Sequence, residues 1–133
     1  MDNNIKELVK EWHEYAERDL MSAKHLLTMR PVPNEVIAFL SQQCAEKYIK
    51  SYLVYQNADV VRTHDLVMLI KLCAKFNSKF IGIEKQCSIL LRYIADTRYP
   101  SQRFDLTEYD IKKALEYAEE IKEFVLGIID NPE

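Results

Sequence analysis

The chain has 133 residues, 48% hydrophobic and 29% charged, with a formal net charge of -3. That length and composition suit one soluble domain with its own core, and the acidic balance argues against broad attraction to nucleic acid. Only two glycines, Gly82 and Gly127, are present and they lie far apart; this disfavours a hairpin-rich β fold and excludes a glycine-rich phosphate loop.

The first predicted helix runs from Ile5 to Met29 and is stopped by the segment RPVPN. Ile5, Leu8, Val9, Trp12, Ala16, Leu20, Ala23, Leu26 and Leu27 share one face, with Asp19 in its middle. Asn34 is the expected N-cap of a second helix reaching Gln56. This helix is apolar around most of its circumference and is expected to be the most buried. Its narrow polar strip is Gln43, Glu46, Lys47 and Lys50, while Gln42 lies outside the strip among apolar neighbours.

The stretch NADVVRTHD reads as a loop, with Thr63 the N-cap of a short third helix from Asp65 to Phe76. A fourth helix is expected from Ile83 to Thr97, with Pro100 marking its end. Ile83, Cys87, Leu90, Leu91 and Ile94 share a face, and Arg98 continues it. Thr107 then caps a fifth helix lasting to Asp130, with Glu108 and Asp110 in its first turn and Ala114, Leu115, Ala118, Ile121, Val125 and Ile129 on one side. The expected fold is all-α: an antiparallel up-down four-helix bundle with an extra short helix, residues 1–133 forming a single domain.

Two charges, Asp19 and Arg98, fall on faces that should be buried, and a buried charge needs a partner. One reading pairs them with each other; in a related one Arg98 only satisfies the last carbonyls of its helix. The other reading has Arg98, with Lys47 or Lys50, present donors to a phosphate. The strip Gln43, Glu46, Lys47 and Lys50 is either a solvated stripe holding a Glu46–Lys50 pair or the polar face of a groove or partner surface. Tyr52, Tyr55, Tyr93 and Tyr99 read as core or dimer-interface residues rather than base-stacking platforms.

His13 and His25 lie off the apolar face of the first helix and read as solvated; His64 reads as a neutral helix-start residue, with acid–base work its lesser alternative. Cys44, Cys73 and Cys87, an odd count without C-x-x-C spacing, read as buried reduced thiols of a cytoplasmic protein. Neither a Glu-x-x-His pair nor Cys/His clustering nor a nucleophile motif occurs, so no metal, cofactor or catalytic residue is expected. The N-terminus lacks a signal-peptide core, and no apolar run approaches the roughly 20 residues of a membrane span.

Five pieces, in order and spacing, resemble the small prokaryotic HEPN domains: "AERDLMSAKHLL" (Ala16 to Leu27), "QQCAEKYIKSYL" (Gln42 to Leu53), "THDLVMLI" (Thr63 to Ile70), "ADTRYP" (Ala95 to Pro100) and the closing "ALEYAEEI". The resemblance spans Trp12 to Ile129. It implies an up-down helical bundle, often a homodimer, found with a minimal nucleotidyltransferase as partner, and nucleotide binding has been proposed for such domains. Many members are ribonuclease toxins of toxin–antitoxin or defence pairs, using an arginine followed four to six residues later by a histidine. Arg98 matches that arginine, but residues 102 to 104 are Gln, Arg and Phe, and His64 is the last histidine of the chain. The expectation is therefore a non-catalytic HEPN-like module, dimeric, binding an ATP-like nucleotide, a nucleotidyltransferase partner, or both, through Arg98, Lys47, Lys50, Gln43 and Tyr99. The alternative is a HEPN ribonuclease toxin with a degenerate active site; whether RNA is bound stays open.

Overall fold

A computed structural model describes residues 2–97 and 105–131, the side chains of 95–97 excepted. Helix α1 spans Asn3–Leu26, α2 Asn34–Tyr55, α3 Leu66–Ala74, α4 Glu84–Thr97 and α5 Glu108–Asp130, with a 3₁₀ segment at Ser78–Ile83. The result is an antiparallel up-down bundle in which α2 packs against α1, α3, α4 and α5. No strand occurs among the described residues.

The caps explain most of the boundaries. Asp2 accepts from the Asn4 amide at 2.6 Å and starts α1 two residues before the expected Ile5. The last turn of α1 tightens, with the Leu27 and Thr28 amides bonding to Lys24 and His25, so the helix closes at Leu26 rather than Met29. Asn34 is the first residue of α2, after Pro33, rather than its cap; its side-chain amide instead donates to the Leu106 carbonyl at 2.9 Å and ties α2 to the approach to α5. Asp65, not Thr63, caps α3 by accepting from the Met68 amide at 3.1 Å, and Thr63 accepts from the Asp65 amide one step earlier. Thr107 caps α5 as expected, in a reciprocal box with Asp110.

The 3₁₀ segment was not expected. It places Phe80 fully inside, its ring 4.5 Å from that of Tyr52 and 5.0 Å from that of Phe124. Burial follows the helical stripes only in part. Val9, Ala16, Leu20 and Ala23 of α1 are buried, whereas Leu8 keeps 47% of its surface. Tyr93 of α4 is buried, in keeping with its reading as a core or interface residue, and Tyr117 joins the core of α5 although periodicity left it off that face. Tyr52 is buried and Tyr55 stacks on it at 5.9 Å, as a core reading requires. All three cysteines are buried and free, and burial pushes each thiol up to about 12.

Helix α2 is enclosed on nearly every side, from Ile37 and Ala38 to Leu53 and Val54. A helix enclosed that way must hold its polar side chains inside the protein, where each needs a partner.

Candidate functional site

Gln42, Glu46 and Lys50 lie one turn apart on α2, and all three are buried. The solvated-stripe reading is therefore corrected, although the Glu46–Lys50 pair exists, at 2.9 Å. One lysine does not satisfy a buried carboxylate. Glu46 Oε2 accepts from Lys50, while Oε1 accepts from His64 Nδ1 at 2.9 Å and from Gln42 Nε2 at 3.2 Å. Burial alone would raise the Glu46 carboxyl, but the bonds from Lys50 and His64 outweigh it and hold the group below its ordinary value.

An ionised carboxylate only accepts, so the hydrogen on His64 sits at Nδ1 and the neutral ring keeps a lone pair at Nε2. The imidazole remains 79% exposed although one nitrogen is anchored to a buried group. Gln42 also donates to the His64 carbonyl at 3.0 Å, fixing backbone and ring from the same helix.

This network borders a cleft of about 480 Å³ between α2, the start of α3 and α4, lined by Phe39, Gln42, Gln43, His64, Asp65, Leu91 and Ile94. Leu91 and Ile94 are half-buried and form its apolar wall, and Phe39 is largely exposed at its edge. Of the expected site residues, the structure brings Gln43 to this cleft. Lys50 does not line it; it is buried and engaged by Glu46. Lys47 is on the α1 side, where it forms an ion pair with Asp19 beside Trp12 and Tyr15. Asp19, expected to meet Arg98, thus has a lysine partner. Arg98 and Tyr99 lie outside the described residues.

A second polar cluster joins α1, α2 and α5. Glu17 accepts from the Tyr48 hydroxyl at 2.5 Å and from Lys122 at 2.8 Å. Burial works against the ionised carboxylate, yet these bonds hold it below its ordinary value. His13, expected in solvent, is half-buried against the Tyr48 ring, with Nε2 at 2.9 Å from Ser51 Oγ. Ser51 donates its one hydroxyl hydrogen to the Tyr48 carbonyl at 2.6 Å, so the histidine is the donor in that pair. A fully buried serine with its hydrogen committed is not a nucleophile. His25 is exposed, as expected.

Sequence reasoning missed the Glu46–His64 bond. The signal was present in part: a carboxylate on an all-round apolar helix needs more than one donor, and the extra donor had to come from another element. Periodicity does not say which. Among the described residues no cluster of His, Cys, Asp and Glu is placed to hold a metal ion, and no helix is long and apolar enough to cross a membrane.

A helical bundle whose central helix carries a buried polar relay to the mouth of a cleft is the class of protein these observations define. The HEPN domain family matches residues 9–128, and the chain belongs to that family. It is similar to a crystal structure of an archaeal HEPN homologue, with 29% identity, a TM-score of 0.71, and coverage of 91% of this chain and 97% of that one. No curated protein matches it.

Proposed function

We propose that this HEPN domain is a non-catalytic, dimeric module that binds a nucleotide in the cleft between α2, α3 and α4 and works with a nucleotidyltransferase partner in a toxin–antitoxin or defence pair. The observation that carries the ligand half is the cleft itself: about 480 Å³, apolar on one wall, with Gln43, His64 and Asp65 among its lining groups. That volume and mixed lining suit a nucleobase with its sugar. Lys47 and Lys50 each face a carboxylate, so in this reading the phosphate contact falls to Arg98, four residues past the cleft residue Ile94 in the sequence. Family membership supports the dimer and the nucleotidyltransferase.

Thermal unfolding with and without ATP, GTP and their monophosphates tests the ligand half. A nucleotide at about 100 times its dissociation constant stabilises the fold by ~2.7 kcal/mol. No shift with any nucleotide up to millimolar concentration removes it. Co-purification with the product of a neighbouring nucleotidyltransferase gene, and the mass of the isolated chain in solution, test the partner and the dimer.

The Glu46–His64 bond favours a second reading, a ribonuclease whose base comes from the segment just before α3 rather than from a histidine after Arg98. A histidine held through Nδ1 by a carboxylate offers Nε2 to take a proton. RNA cleavage lost in both His64→Ala and Arg98→Ala supports it; tRNA and mRNA left intact by the purified protein remove it.

A further inference from the structure

The polar groups at this cleft are not interchangeable donors and acceptors; the buried relay fixes which they are. Glu46 accepts only. Gln42 must therefore turn its amide nitrogen toward Glu46 and toward the His64 carbonyl, another group that only accepts. That orientation leaves Gln42 Oε1 as an acceptor, and Gln43 Nε2 fills it at 3.0 Å. Gln43 is thereby oriented in turn, keeping its Oε1 as acceptor and one amide hydrogen. His64, with Nδ1 committed to Glu46, keeps Nε2 as acceptor in the neutral ring. Asp65 contributes a carboxylate, of which Oδ1 caps α3 through the Met68 amide. Among its side chains the lining thus offers acceptors at Gln43, His64 and Asp65 against a single remaining amide hydrogen, that of Gln43, beside an apolar wall of Leu91 and Ile94 and a rim at Phe39.

A ligand complementary to such a lining is flat and apolar on its faces and donates along one edge. Among nucleobases, guanine donates from N1–H and from its 2-amino group on the same edge. Adenine places an acceptor, N1, where guanine has a donor, and an unpaired acceptor facing a carboxylate is penalised. We propose that the cleft between α2, α3 and α4 is a guanine-selective nucleoside site, with Asp65, Gln43 and His64 reading the donor edge of the base. This rests on the nucleotide-binding reading and deepens it by naming the base.

The test is titration calorimetry of the full chain at pH 8 with guanosine, inosine and adenosine. Guanosine binds about tenfold or more tightly than adenosine, the step expected for one mispaired polar group. Inosine, which keeps N1–H and lacks the 2-amino group, falls between them. Asp65→Asn retains a capping oxygen for α3 but replaces the carboxylate with an amide, and it narrows the guanosine preference without a loss of folding. Gln43→Met weakens guanosine more than adenosine. Equal affinity for guanosine and adenosine overturns the base assignment and leaves nucleotide binding standing, as does binding of GTP and ATP alike with no nucleoside bound. Failure of every nucleoside and nucleotide overturns both readings. Occupation by free arginine alone also overturns this assignment, and points to a guanidinium from a protein partner.

Discussion

Glu46 and His64 sit 18 residues apart in sequence and meet at 2.9 Å, the carboxylate inside the bundle and the imidazole at its surface. The two ends of this bond are unequal in what they hold up. Glu46 also neutralises the buried Lys50, so Glu46→Ala leaves an ammonium without its counter-charge and costs about 3–5 kcal/mol. His64 is largely in solvent, and His64→Ala costs only about 1 kcal/mol. Urea denaturation of the two variants should separate them by that margin. Similar midpoints would mean that Lys50 does not depend on Glu46.

Acid should destabilise the protein in two stages. Burial lowers His13 below its ordinary 6.5, with Asp130 and Glu17 partly opposing. The unfolded chain therefore takes up a proton first, and stability falls as the pH drops through 6.5 toward the folded value. Glu46 and Glu17 are both held below 4.5 in the fold, so their contribution is complete above 4.5 and is lost as the pH falls through the lower, folded values. His13→Phe keeps a ring against Tyr48 and removes the titration. It should flatten the stability curve just below pH 6.5 while leaving the second stage in place. An unchanged curve would assign the first stage to another group.

Phe80 anchors the 3₁₀ segment between Tyr52 and Phe124 with no exposed surface. Phe80→Ala should cost about 3–5 kcal/mol by chemical denaturation. A loss below about 1 kcal/mol would show that the segment collapses into the cavity or contributes little.

Tyr48→Phe removes a hydroxyl that donates to Glu17 without disturbing the ring contact with His13. Because Lys122 still faces Glu17 and that carboxylate is partly exposed, the expected loss is about 1 kcal/mol. Comparing Tyr48→Phe in the presence and absence of Lys122→Met gives the coupling between the two donors.

The three thiols, each pushed up to about 12 by burial, should resist a thiol-specific reagent at pH 8 in the native protein and react together once it is unfolded. Rapid labelling of Cys44, Cys73 or Cys87 under native conditions would contradict that burial.

The helical class, the number of main helices and the central place of α2 were legible in the residues alone. Apolar spacing, the prolines of RPVPN and caps such as Thr107 act within a few residues, so sequence order carries them. Local signals were weaker where two caps competed. Thr63 and Asp65 both suit an N-cap, and only the bond to the Met68 amide chose between them. The run between Phe76 and Ile83 carries too little periodicity to announce a 3₁₀ segment, whose reason for existing is the pocket waiting for Phe80.

Partner choice was decided by the assembled bundle. The sequence required a partner for Asp19, since buried charge does not stand alone, and offered a helical Glu46–Lys50 pair. It could not select Lys47 for Asp19 or His64 for Glu46, nor bring Lys122 to Glu17 across 105 positions. Pairing energies depend on distances of a few ångströms between elements, and helix–helix registry sets those distances only once the whole core has packed. The same packing turned an apparent surface stripe on α2 into a buried relay, because four other helices close around it.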